Sequence, residues 1–232
     1  MTDEGLTTEK LREGLGHSVR DLPDQGRLTH VVRGIKRWVG DLFFERGIET
    51  SGRQVELDHF HRERTYYGAS DWLDLPRALR KCDVGPGDVF VDFGSGKGRI
   101  LYQAARHPFT RVIGVEISAK LNEVARANIE RKRPELRCQT IELVTVDATA
   151  FEVPDDMTIA YFYHPFSDQT FNAVIDNIVR SLDRNPRRVT IIYQCPLMEG
   201  SIIGTGRFKL VGTLKHRRKN PRRIAVYVNE PG

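Results

Sequence analysis

Cysteine is scarce in this chain, with three among 232 residues. Cys82, Cys138 and Cys195 lie far apart and form no CxxC pair. That spacing excludes a disulfide framework and a zinc knuckle, and it points to a reducing cytoplasm. Long apolar runs are missing as well. No stretch approaches the roughly 20 residues that span a bilayer, so no membrane partner is expected. The opening MTDEGLTTEKLREGL is polar and partly acidic, without the apolar centre of a secretory signal. Metal-ligand spacing is also lacking. His59 and His61 stand two apart, which chance explains better than a ligand pair, and no metal is expected. Repeats and low-complexity segments do not occur.

Charge is present and unevenly placed. The net charge is +5, yet residues 180–223 hold 12 Lys/Arg against Asp183 and Glu199. The rest of the chain is therefore acidic overall. Such asymmetry reads either as a solvated surface or as a receiver for an acidic partner near the C-terminal third.

Residues 1–60 lack clean strand signals. Apolar residues between Thr29 and Phe44 approximate helical spacing, and SDWLDLPRALRKC at 70–82 reads as a helical segment with Ser70 as N-cap candidate, although Pro76 limits where the helix proper can start. Residues 1–85 are expected to form a helical N-terminal arm and lid, and residues 86–232 the core domain. From residue 88 onward a regular alternation begins. Short β-rich runs at Val89–Phe93, Val112–Ile117, Glu142–Val146, Ile159–Tyr163 and Val189–Gln194 are separated by helix-length segments at Gly98–Arg106, Lys120–Arg133 and Gln169–Leu182. This pattern predicts βαβ units, a parallel sheet and right-handed crossovers. Phe208–Leu214 and Ile224–Asn229 are two further β runs joined without a helix, which favours an antiparallel hairpin.

The segment Val89-Phe90-Val91-Asp92-Phe93-Gly94-Ser95-Gly96-Lys97-Gly98-Arg99 is a buried-type strand, an acid, three alternate glycines and then a helix. Glycines there let the backbone take positive φ and approach a ligand. Ligands of open α/β sheets bind at the carboxyl ends of the strands. A dinucleotide fingerprint spaces its glycines G-x-G-x-x-G and offers bare N–H groups to a pyrophosphate. Here the spacing is G-x-G-x-G, and Asp92 would repel a pyrophosphate. A ligand with a cationic end suits the carboxylate. GxxxxGK[ST] does not fit, which excludes a P-loop. The second strand ends in Glu116, 24 residues after Asp92, where a carboxylate accepts from ribose hydroxyls. The third run leads into Asp147-Ala148, placed to accept from an adenine amino group or simply to cap a turn.

Together these residues resemble the class I S-adenosylmethionine-dependent methyltransferases over roughly residues 65–230. Asp92 to Arg99 looks like the family's first motif, Glu116 like its ribose-binding acid and Asp147 like its adenine-contacting acid. The style of Asp92-x-Gly-Ser-Gly-x-Gly-Arg followed by Gly114-Val115-Glu116-Ile117-Ser118 is similar to the Dot1-like branch and to bacterial protein-lysine methyltransferases. The resemblance implies a Rossmann-like α/β fold. Its sheet would be seven-stranded and mostly parallel with a reversed last strand, and would carry helices on both faces. It implies S-adenosyl-L-methionine as cofactor, held by Tyr67, Ser70, Asp92, Gly94, Ser95, Gly96, Gly98, Glu116, Ile117, Asp147, Ala148 and Tyr163. The methyl acceptor would be a protein side chain or a small molecule.

The fourth strand leads into His164-Pro165-Phe166. Many amino-group methyltransferases have an Asn or Asp before that proline, so His164 is a departure. It reads either as a general base, given its near-neutral pKa, or as a packing or capping side chain. The basic loop 215–223 is expected to leave the sheet on the ligand side and to receive nucleic acid or an acidic protein surface. The alternative function is a non-catalytic cofactor-binding scaffold with a degenerate acceptor pocket. A nucleotide-dependent oxidoreductase is disfavoured by the glycine spacing and by Asp92.

Overall fold

The computed structural model describes residues 47–50, 70–163, 166, 168–214 and 223–229. The expected helix at 29–44, Tyr67, His164 and the basic loop up to residue 222 lie outside the described residues. Seven strands are present: β1 (Val89–Phe93), β2 (Arg111–Glu116), β3 (Ile141–Thr145), β4 (Ile159–Tyr163), β5 (Thr190–Gln194), β6 (Phe208–Leu214) and β7 (Ile224–Asn229). They form one sheet in the order β3-β2-β1-β4-β5-β7-β6. The first five run parallel, β7 is antiparallel to β5, and β6 is antiparallel to β7. This is the Rossmann-like sheet with a reversed last strand that the resemblance implies. After β1 the chain steps outward to β2 and β3, then returns to β4 on the other side. That reversal opens a crevice at the carboxyl ends of β1 and β4, where such sheets bind ligands.

The central strands β1, β4 and β5 form because both of their faces are buried and mostly apolar. All five residues of β1 are buried. Val91, Phe93, Ala160, Phe162, Ile191 and Tyr193 project into one core layer, and Phe90, Ile159, Tyr161 and Ile192 into the other. The first layer is closed by α4 (Asp168–Arg184), whose Phe171, Val174, Ile175, Ile178 and Leu182 are buried at helical spacing. Its centre is aromatic. Phe93 stacks on Phe162 at 4.9 Å and Phe171 on Tyr193 at 4.9 Å, with Phe162 edge-on to Phe171. The second layer is covered by α1 (Asp74–Leu79) and α2 (Arg99–Ala105), with Ile129 of α3 (Ala119–Lys132) joining its edge.

Two local expectations are corrected. The helix predicted from Ser70 begins at Asp74, and Ser70 does not cap it. The Asp71 carboxylate accepts from Leu73 N and the Asp71 carbonyl from Asp74 N, so a turn precedes the helix. Pro76 then falls in the first helical turn, where its missing N–H leaves no bond unmade. A short helix, α5 (Glu199–Gly204), also follows β5 where the sequence offers only a glycine-flanked segment. It is held by tertiary contacts. Ile202 is fully buried, and the Glu199 carboxylate accepts from Tyr227 Oη and Arg223.

Asp155 and Asp156 lie at the amino end of β4, away from the crevice, and pair with Arg184 and Arg111. Leu214 and Ile224 are register partners, and Ile224 is also opposite Gln194. Leu214 and Ile224, the strand residues that flank the connection 215–223, therefore lie at the carboxyl edge of the sheet.

Candidate active site

The turn after β1 is built on glycine. Gly94, Gly96 and Gly98 have φ of +82°, +54° and +80°, a region that costs other residues free energy. Gly98 opens α2, and a Cβ there would lie 3.0 Å from Ala125 Cβ. Gly98→Ala is therefore expected to lose roughly 1–3 kcal/mol of stability, measurable by urea unfolding. Gly114 on β2 serves the same turn differently. A Cβ there would strike Leu101 Cδ1 at 2.5 Å and Ser95 Oγ at 2.8 Å. The bare strand lets Ser95 tuck inward.

The turn satisfies its own amides. Gly94 N and Ser95 N both donate to the Val115 carbonyl, and Gly98 N donates to the Ser95 carbonyl. Gly96 N donates to Glu116 Oε2 at 2.9 Å, and Ser118 N donates to Glu116 Oε1 at 2.9 Å. Glu116 is thus a buried, aimed carboxylate at the tip of β2, with one lone pair on each oxygen committed to backbone. Asp92 differs. It is 3 % exposed, and no described residue donates a hydrogen bond to it. Burial, and then the Glu116 charge, push its pKa well above the usual carboxylate range. Two acids share one crevice, and no described cation neutralises Asp92.

The remaining predicted residues fall along the same edge. Ile117 follows Glu116 and exposes 36 % of its surface, while Tyr163 is half-buried at the end of β4. Asp147 lies just past β3. Its Oδ1 accepts from Thr149 N at 2.9 Å and Thr149 Oγ1 at 2.8 Å, so it caps the 3-10 turn Ala148–Ala150. Ala148 is buried in the core layer under α4. Ser70 is buried, and its carbonyl accepts from Arg99 Nη1 at 2.8 Å.

Sequence reasoning missed the groups that bind the preceding chain to this turn. Arg99 Nε donates to Thr50 Oγ1, and its guanidinium lies 4.6 Å from the Trp72 ring. Lys97 Nζ donates to Glu49 Oε1 at 2.6 Å. Asn128 receives Glu49 N and donates to the carbonyls of Glu49 and Lys97. The motif's Lys97 and Arg99 carried no signal of this, because Glu49 and Thr50 lie 48 and 49 residues earlier and Ser70 29 residues earlier.

Among the described residues no group of three or more His, Cys, Asp or Glu could hold a metal ion, and no helix is long and apolar enough to cross a membrane.

Residues 90–185 match the family model of a methyltransferase domain. No curated protein matches the chain in sequence. Solved structures of the same fold include precorrin 8w decarboxylase from Methanobacterium thermoautotrophicum, with 17% identity and a TM-score of 0.52 over 71% of this chain and 92% of that one. An rRNA methylase from Streptococcus thermophilus has 12% identity and a TM-score of 0.52 over 72% of this chain and 100% of that one. MtNAS in complex with S-adenosylmethionine has 18% identity and a TM-score of 0.53 over 69% of this chain and 62% of that one. Sheet order, crevice and domain match define a class I methyltransferase fold. Over residues 90–185 the chain is similar to that methyltransferase domain, and its sheet has the same fold.

Proposed function

We propose that the crevice at the carboxyl ends of β1, β2 and β3 binds S-adenosylmethionine, and that the chain transfers its methyl group to a protein side chain or a small molecule. The observation that carries this reading is the pairing of a self-satisfied glycine turn with a buried acid that has no hydrogen-bond donor among the described residues. The amides of Gly94, Ser95, Gly96 and Gly98 are already used, so the turn has little to offer a diphosphate. Asp92 instead favours a cation, and the ammonium of the cofactor's methionine end is one. Glu116 retains lone pairs for the ribose hydroxyls, and Asp147 stands where an adenine amino group would donate. Ile117 offers an apolar surface to the base. The backbone of the turn, with Tyr163, Ser70 and Tyr67, completes the proposed set.

The cofactor, when bound, supplies a methyl group already activated by its sulfonium. The protein must align the acceptor, exclude water and take up one proton. His164 follows Tyr163 at the end of β4 and is the proposed proton acceptor. The branch closest in motif style is the Dot1-like and protein-lysine group, and the basic connection 215–223 would receive an acidic acceptor surface.

Calorimetry with S-adenosylhomocysteine and with NAD tests the cofactor: binding of the first alone is expected, and binding of NAD alone would overturn the reading. A labelled-methyl assay against cell extract then separates enzyme from scaffold. Transfer is expected with the wild type. It should fall at least tenfold in His164→Ala with S-adenosylhomocysteine affinity unchanged.

A further inference from the structure

A buried polar chain crosses the second core layer beneath the crevice. Tyr161 of β4 is wholly buried, and Asp92 of β1 is its register partner. The two side chains therefore leave neighbouring strands on the same face. The Tyr161 hydroxyl does not bond to Asp92. It bonds to Gln194 Oε1 at the end of β5. Gln194, 2 % exposed, donates through Nε2 to Asp74 Oδ2 of α1 at 2.6 Å.

The direction of these bonds follows from chemistry. A carboxylate only accepts, so the amide nitrogen of Gln194 must face Asp74 and its oxygen must face Tyr161. The tyrosine must then be the donor. Burial, with the charges of Asp92 and Asp74, raises its pKa well above 10, so the proton stays on the hydroxyl. A hydroxyl has one proton to give, and Gln194 takes it. Towards Asp92, Tyr161 presents only lone pairs. From β2 Asp92 faces Glu116, another acid.

We infer that Gln194, oriented by Asp74, is a positioning residue that directs the Tyr161 proton away from Asp92 and so keeps that carboxyl without a donor for the cationic end of its ligand. This rests on the proposed role of Asp92 in cofactor binding. Without Gln194, the Tyr161 hydroxyl would turn to the acid beside it and compete with the ligand's ammonium.

The test is calorimetry with S-adenosylhomocysteine on the full chain. Gln194→Leu is expected to weaken binding about tenfold or more, the worth of a hydrogen bond to a charged group. Tyr161→Phe alone should bind within about threefold of wild type, since Asp92 stays donor-free. The double variant Gln194→Leu/Tyr161→Phe should regain that affinity, which mere damage to packing would not allow. Gln194→Met repeats the comparison if the leucine variant does not fold. Wild-type binding in the folded Gln194 variants, or a double variant as weak as the single, overturns the inference. Asp92→Asn separates the two ideas. If it binds normally, the cofactor reading of Asp92 falls. If it fails while the Gln194 variants bind normally, that reading stands and this one falls.

Discussion

Asp92→Asn is expected to lose S-adenosylhomocysteine binding by about two orders of magnitude while the ligand-free protein becomes more stable. Both effects share one cause. The carboxyl is buried beside Glu116 with no donor from the described residues, an arrangement unfavourable to the empty protein and favourable to a cationic ligand. An amide of the same shape removes the repulsion and adds a donor for Tyr161 or Glu116. The pH dependence has a definite sign. The folded pKa of Asp92 lies above its unfolded value. At pH below the ordinary carboxylate range both states keep the proton, and the substitution changes little. As pH rises through that range the unfolded chain releases its proton while the folded chain retains it, and wild-type stability falls until the folded pKa is passed. The stability gain of Asp92→Asn over wild type should therefore be larger at pH 7 than near pH 4, as read by thermal melts without ligand. Glu116→Ala should lose binding as well, but without that gain, because its carboxylate anchors Gly96 N and Ser118 N. Normal binding by both variants would end the site assignment.

Phe162→Ala should be the most damaging single truncation in the core, at roughly 3–5 kcal/mol. Its ring is fully buried, stacked on Phe93 and set edge-on to Phe171 and Tyr193. Rigid rings on three sides leave the cavity little room to collapse. For a chain of this size each kcal/mol moves the thermal midpoint by about 2–4 °C, so a drop of about 10 °C is expected. Phe162→Leu should recover most of it. A drop of only a degree or two in Phe162→Ala would mean that the aromatic layer is not the centre of the core.

The sheet was legible because its strands announce themselves. β1 and β4 are apolar on both faces and have the predicted bounds, and the hairpin strands Phe208–Leu214 and Ile224–Asn229 do too. The other strands differ by a residue at their ends. Glycine spacing and strand-end acids were equally readable, since motif and geometry are both local. What escaped was long-range. Gln194 and Asp74 are 120 residues apart, and neither sits in a recognisable pattern. Arg99 and Lys97 reach back to Thr50 and Glu49. The start of α1 was misplaced because Ser70 looks like a cap, while Asp71 forms the turn that sets the boundary.

The hairpin at the sheet's edge has an evolutionary consequence. Leu214 and Ile224 face each other where the chain passes from β6 to β7, next to Gln194. Segments of very different length and charge can be exchanged between those two anchor points without disturbing the register of the five parallel strands. Under the proposed function, new acceptor preferences would then arise by grafting at one seam, with the parallel half of the sheet inherited intact.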